Sequence, residues 1–362
     1  MTSKIRLIGA LVILAFSGNF VGCASTPKVP LGPTRPWQVT ALNLKGYSQK
    51  SVIAFGSNFV IRAWPSNKPT VPVNTALDLA VAEINRITNM ADATVTGSEV
   101  EKINTKAYAE PVPISQELAA ILIDCDRMYQ MSELRFDITF TPYKNKAEFT
   151  DSDYNRITDW DSKQPLTAVS RRLFGDKNMI LDTGPKPTVR MYNQRIRLNL
   201  KGMIRGYAAE RAIRILMKQG LGGMAVMADG FVAAIGTPLR DPSIMCIENP
   251  KALGTCMFKV IPANFGKVLY LGTSASQERH GQMFDPKEIW TLRSGGVTVS
   301  GENGAWTQFA TTITAVMDDL TLNALFNRLK SPKVSGTYFI KERDGALDGR
   351  LDPFASVMKV GK

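Results

Sequence analysis

Apolar residues recur at helical spacing in some stretches of this chain and alternate with polar ones in others, and the two patterns are interspersed. Residues 51–64 alternate enough to predict a strand. Leu77, Ala80, Val81, Ile84 and Ile87 then share one helical face, with Asn74 or Thr75 as N-cap. Ser115 is set to cap a second helix, whose stripe is Leu118, Ile121, Leu122, Cys125, Met128 and Tyr129, and Glu117 suits its positive end. Residues 136–140 read as a strand stopped by Pro142. Residues 151–188 are polar with little periodicity and predict long loops. A third helix is expected over residues 204–219, ended by Gly220. Short strands are expected at 224–228 and 231–235 around Asp229-Gly230, and later at 267–271, 296–299 and 337–341. Helical stretches fall near 309–317 and 320–329. Without a regular βαβ rhythm, this order predicts an α+β fold with largely antiparallel sheet. No fixed-period repeat, GxGxxG or P-loop motif is present.

The first residues follow a different logic. Lys4 and Arg6 precede an apolar run over residues 7–16, and Gly22-Cys23 follows soon after. That is a secretory signal, too short to be a permanent span. A small residue before a cysteine resembles the lipobox of bacterial lipoproteins, where the cysteine is acylated and becomes the new N-terminus; Phe20 stands where Leu is usual. The alternative is an ordinary signal peptide with an incidental Cys23. Pro27, Pro30, Pro33 and Pro36 lie among Ser, Thr, Lys and Gly, a composition that stays extended. The expected organisation is a signal peptide over residues 1–22, lipidated Cys23 with a Pro-rich tether to residue 45, and one domain over 46–362. The expected location is the bacterial cell envelope, facing the periplasm.

Composition narrows the partners. The chain has 362 residues, 44% hydrophobic, with 44 Lys and Arg against 32 Asp and Glu, a formal charge of +12. Lys4 and Arg6 leave with the signal, taking +12 to +10. Export argues against nucleic acid, so anionic headgroups or phosphorylated ligands are better partners for this charge. Cys125 falls on an apolar helix face, whereas Cys246 and Cys256 flank a turn region and could pair in an oxidising compartment. A single histidine, His280, excludes any site that needs two imidazoles and reads as an exposed loop residue. Asp151, Asp153, Asp159 and Asp161 lack the glycine and terminal glutamate of a Ca²⁺ loop and read as solvated turn. Trp290 and Trp306 read as core.

Residues 195–211 carry the most chemistry. A polar strand end, Lys201-Gly202, then Arg205-Gly206, leads into the third helix, an arrangement that suits a phosphate cradle. Taken alone it is better read as a strand-to-helix turn with surface cations, since many loops share this composition.

The order of segments along the chain resembles the ApbE-type FAD:protein FMN transferases from about Phe55 to Gly345. Phe55-Gly56-Ser57 stands at the family's early Met-Gly-Thr, and Ser98-Glu99-Val100 with Ile103-Asn104 at its SEI..LN motif. Ser132 to Thr139, with Pro142, is similar to SNGAFDVTVGP, and Asn199 to Ala208 to DLGGIAKGYA. Asp229-Gly230 with Gly236, Thr273-Ser274, Asp285-Pro286 and Ala310-Thr311 are similar to the GGD….G, TSG, H..DP and ADALAT segments.

The resemblance implies a T-fold-like α+β protein that binds FAD as substrate. It further implies transfer of FMN, with Mg²⁺, to a Thr or Ser hydroxyl of an exported flavoprotein, such as a component of a membrane electron-transfer complex, with release of AMP. It carries the metal-ligand roles to the Ile204 carbonyl and the Thr311 hydroxyl, and catalytic positions to Asp285, Thr307 and Thr311. Flavin binding falls to Glu99, Asn104, Phe136, Asp137, Lys201, Arg205, Gly206, Tyr207, Gly230, Thr273 and Ser274. The departures are specific. The metal-binding aspartate of ADALAT aligns with Thr307, the histidine of H..DP with Gln282, the aspartate of DLGG with Asn199, and its first glycine with Lys201. Losing a carboxylate weakens Mg²⁺ binding, unless Glu302, Asp318 or Asp319 approaches the site, and Lys201 could instead neutralise the pyrophosphate without a metal. Two readings therefore stand: a divergent FMN transferase, or a catalytically inactive flavin-binding or accessory lipoprotein of the envelope.

Overall fold

The structure, a computed structural model, describes residues 46–139, 179–191, 197–240, 244–249, 252–262, 264–275, 295–314, 319–329, 334–341, 347–350 and 355–359. Its elements are β1 (Ser48–Ala54), β2 (Ser57–Trp64), α1 (Val73–Ala91), α2 (Glu99–Lys106), β3 (Val112–Pro113), α3 (Gln116–Met131), β4 (Met179–Asp182) and β5 (Thr188–Met191). They continue with α4 (Ile204–Met217), β6 (Gly223–Ala228), β7 (Phe231–Gly236), a 3₁₀ turn (Thr237–Arg240), β8 (Cys246–Asn249) and β9 (Ala252–Pro262). The last are β10 (Leu269–Ala275), β11 (Gly295–Gly301), α5 (Gly304–Thr314), α6 (Asp319–Leu329), β12 (Val334–Lys341), β13 (Leu347–Arg350) and β14 (Ala355–Lys359).

The main sheet has the order β1-β2-β6-β7-β10-β11-β12-β13, and two three-stranded sheets have the orders β14-β9-β8 and β3-β5-β4. Every described ladder is antiparallel, as the interspersed periodicities predict. Strand alternation sorts the main sheet into two cores. Phe59, Ile61, Ala63, Val226, Ala228, Phe231, Ala233 and Tyr270 join the larger core with Leu77, Ile84, Ala208, Ala212, Phe309 and Ile313 from the helices. Val60, Trp64, Ala225, Met227, Ala234, Leu269 and Leu271 pack on Leu239, Ile247, Phe258 and Val260 on the other side. With both faces covered, β6 is buried along its whole length and reads as a continuous apolar run.

Several sequence expectations need correction. The strand expected at 51–64 is a hairpin, because Phe55 and Gly56 both adopt positive φ, 53° and 71°, as a two-residue I′-type turn requires. The first helix starts at Val73 after Pro72, with no side-chain cap from Asn74 or Thr75; the proline's φ of −52° presets the helical entry. Ser115 does cap α3, accepting from the Leu118 N–H. Residues 136–139 form a turn rather than a strand, since Asp137 Oδ1 accepts from both the N–H and the hydroxyl of Thr139 and so competes with a ladder. Within 151–188 a strand, β4, stands where loop was expected; the loop reading of 151–178 lies outside the described residues, as does that of Trp290. α5 begins at Gly304, earlier than its apolar stretch indicates, because Asn303 Oδ1 accepts from the Trp306 N–H as a cap. α2, β3, β5, β8, β9, β13 and β14 also have no counterpart among the expected elements. Cys246 and Cys256 are joined by a disulfide between β8 and β9, and Cys125 is a buried free thiol.

Candidate functional site

The site is assembled around the entry to α4. Asn104 of α2 clasps the incoming strand end, its Nδ2 donating to Leu198 O (3.1 Å) and its Oδ1 accepting from Leu198 N (2.6 Å). Asn199 N donates to Ile138 O (2.7 Å), so the turn carrying Phe136 and Asp137 lies beside this segment. The Phe136 ring lies over Gly202, where any Cβ would come within 2.6 Å of it, and meets Phe309 edge-on at 4.9 Å between centroids. Thr312 of α5 donates to Gly202 O (3.1 Å), closing the turn from the far side. Lys201 is exposed at its tip, and its backbone N–H is taken by Asn199 Oδ1 (3.0 Å).

Arg205 links three segments distant in sequence. Its Nη1 donates to Ser57 Oγ (3.1 Å) in the β1–β2 hairpin and to Asp229 O (3.2 Å) in the β6–β7 turn. Gly230, at φ 70°, gives its carbonyl to Thr273 N (2.6 Å), and the Thr273 hydroxyl meets that of Thr298 (3.1 Å). Ser274 is buried on the same strand. Phe55-Gly56-Ser57, Arg205, Asp229-Gly230 and Thr273, four of the segments singled out in the sequence, thus converge on one end of the sheet.

The crossing of α4 and α5 is closed by backbone. Gly206 and Gly304 approach so closely that a Cβ on either would overlap the other's carbonyl oxygen. Glu210 Oε2 accepts from Gly304 N (2.7 Å) and Oε1 from Arg214 Nη2 (2.6 Å), so this buried carboxylate is spent on fixing the start of α5. Further along α5, Thr307 donates to Asn303 O (2.6 Å) and Thr311 to Thr307 O (2.7 Å). Both threonines are buried, and Thr311 fills the space above Gly272 of β10. Gly304, Glu210, Gly272, Thr298, Ser57 and Asp229 have structural roles here that motif reading did not assign; the sequence signal was the pair of Asn303 and Gly304 ahead of an apolar run.

Other expected site residues sit elsewhere. Glu99 Oε2 accepts from Ser115 N (2.7 Å), joining α2 to the start of α3. Tyr207 faces away from Arg205: its hydroxyl donates to Glu117 Oε1 (2.7 Å), within a surface network in which Arg86 and Arg211 pair with Glu83 and Glu117. Arg86 holds Glu117 below the usual carboxylate range, and burial with the Glu117 bond raises the Tyr207 phenol. Burial pushes the Asp137 carboxyl up to about 6, against the opposing bonds from Thr139, and its buried Oδ2 has no hydrogen-bond partner among the described residues. Cys23, His280, Gln282 and Asp285 lie outside the described residues.

Magnesium does not fit the donors found here. Among the described residues no three His, Cys, Asp or Glu side chains form a metal cluster. Thr307 and Thr311 offer neutral oxygens whose protons are already committed to helix carbonyls, and the Ile204 carbonyl adds no charge. Glu302 is turned to Lys267 (3.1 Å). Asp318 lies outside the described residues, and Asp319 is described only as the first residue of α6. Mg²⁺ dehydrates reluctantly and is ordinarily compensated by one or two carboxylates, which this set lacks.

A model of the ApbE family matches residues 55–334. Among solved structures, the flavin transferase ApbE from Vibrio cholerae is 13% identical with a TM-score of 0.62, covering 85% of this chain and 97% of that one. The flavinyl transferase ApbE of Pseudomonas stutzeri, apo form, is 16% identical with a TM-score of 0.58, at 85% and 95% coverage. The ApbE protein from Thermotoga maritima is 18% identical with a TM-score of 0.57, at 83% and 96% coverage. At these identities the likeness is one of fold. No curated protein matches the sequence.

Proposed function

Because the chain belongs to the ApbE family, we propose that it binds FAD and transfers the FMN half to a Thr or Ser hydroxyl of an exported flavoprotein. The observation that carries this reading is the convergence of Ser57, Asp229-Gly230 and Thr273 around Arg205 at the entry to α4. In the transfer, the acceptor hydroxyl oxygen bonds to the FMN phosphorus and gives its proton to water, the pyrophosphate P–O bond breaks, and AMP leaves with the electron pair. Such a step needs fixed positive charge and fixed donors where negative charge is concentrated. Arg205 supplies a guanidinium that stays charged and is oriented by two oxygens before any ligand arrives.

We place the protein in the cell envelope, tethered through a lipid on Cys23, with a component of a membrane electron-transfer complex as the flavin acceptor. The Cys246–Cys256 disulfide supports an oxidising compartment. A specific observation favours a second reading, that of a flavin-binding or accessory lipoprotein without transferase activity: Thr307 leaves the α5 site without a carboxylate.

The full chain, purified in detergent, is to be incubated with FAD and a Thr-containing acceptor domain and read by mass spectrometry. Addition of the FMN mass to the acceptor, with stoichiometric AMP release, is the expected result. Tight FAD binding without any transfer would replace the transferase with the accessory reading.

A further inference from the structure

Two faces of the site bear on how a pyrophosphate would be held. Asn199 and Thr307 are neutral at positions where the resembling motifs carry aspartate, and Lys201 adds a cation where they carry glycine. These changes fall on one structural unit, because Asn199 and Lys201 form the turn at the entry to α4 while Thr312 ties α5, which carries Thr307, to Gly202 of that turn. Two negative charges are lost and a positive one is gained, so the protein's own residues shift the local charge towards positive by three, more than the two a divalent cation would bring. Thr307 is fully buried with its hydroxyl bonded to Asn303 O, a neutral arrangement that needs no counter-ion. Lys201 is exposed at the turn, with no partner for its ammonium among the described residues, and Arg205 follows four residues later in the first turn of α4.

We infer that this protein holds a pyrophosphate-bearing nucleotide without a divalent cation, with Lys201 and Arg205 in the cation's role. The inference rests on the flavin-binding reading and goes beyond it in assigning the charge. It has a physical basis in the strength of charge-assisted hydrogen bonds to phosphate oxygens, for which guanidinium and ammonium groups are suited.

The test is a titration of the full chain with FAD, read by quenching of flavin fluorescence, in EDTA and in Mg²⁺. Affinities equal within about twofold are expected, because Asn199 and Thr307 offer no carboxylate to a metal. Lys201→Ala, an exposed substitution that leaves the fold intact, is expected to weaken binding about tenfold in both conditions, the size of one lost charge-assisted contact. Asn199→Asp is expected to create a Mg²⁺ dependence of about tenfold or more that the parent lacks. Binding by the parent that falls tenfold in EDTA would overturn the inference while leaving the flavin reading standing. So would a Lys201→Ala variant that binds as tightly as the parent. No FAD binding in either condition would overturn the flavin reading itself, and this inference with it.

Discussion

On one side of α4, Tyr207 and Arg211 reach Glu117 and Glu83 in a half-exposed network of charges; on the other, Gly206 meets Gly304 and the threonines of α5. The first side is held by groups that water can replace, so each pair there is worth little on its own. The second is held by backbone approach and by buried hydroxyls whose protons are spent inside the helix. The difference shows where the protein tolerates charge. Glu83 and Glu117 on the outer side are each matched by a guanidinium, while among the described residues the seam admits one carboxylate, Glu210, and spends it on Gly304 N and Arg214.

The hardest test of this contrast is at the glycine crossing. Gly304→Ala would drive a methyl group into Gly206 O and to 2.9 Å from Glu210 Cβ, and neither is the free end of a flexible chain. We expect a loss of about 3 kcal/mol or more, seen as a lower urea midpoint with an unchanged slope. A loss below about 1 kcal/mol would mean that the two helices can slide apart, and the seam would then be no tighter than the outer side.

Asp137 sharpens the comparison, since it is a buried carboxyl with one oxygen unpaired, beside the segment that enters α4. Its folded pKa of about 6 exceeds the ordinary value of 3.8, so the native state holds the proton more tightly. This group's contribution to stability therefore falls as pH rises from about 4 to about 6, and stays low above that. Asp137→Asn keeps an acceptor for Thr139 and removes the charge. The variant should be more stable than the parent by about 1–3 kcal/mol above pH 6, the gap closing towards pH 4 in thermal melts. A gap that does not change with pH would mean that the carboxylate finds compensation in solution.

The same contrast explains what could be read in advance. α3 was legible because Ser115 and a six-residue apolar stripe are local signals, and α4 because Gly220 ends it. The hairpin at Phe55 was not, because a phenylalanine at positive φ gives no sign in the sequence; the fold imposes it by burying that ring in the core. Arg205, Asp229-Gly230 and Thr273 were legible as motifs, but their meeting point depends on strand order in the main sheet, which no local pattern encodes. The direction Tyr207 takes was not legible for a related reason. One residue separates it from Arg205, and on a helix such neighbours point some 200° apart, so a motif read as a string does not show that its hydroxyl turns to Glu117.

Tyr207 also gives the finest discrimination. Its hydroxyl donates to Glu117 Oε1, a carboxylate that Arg86 already holds below its ordinary pKa. A group with a depressed folded pKa contributes stability above its unfolded pKa and loses it as pH falls through the folded value. Tyr207→Phe should therefore cost about 1 kcal/mol at neutral pH, the usual worth of one hydrogen bond to a charged acceptor that is part-exposed. That cost should vanish in acid, once Glu117 is protonated in both proteins, and FAD affinity should be unchanged throughout. If FAD affinity falls instead while the melting curve is unmoved, the hydroxyl leaves Glu117 when ligand binds, and the two sides of α4 are coupled rather than separate.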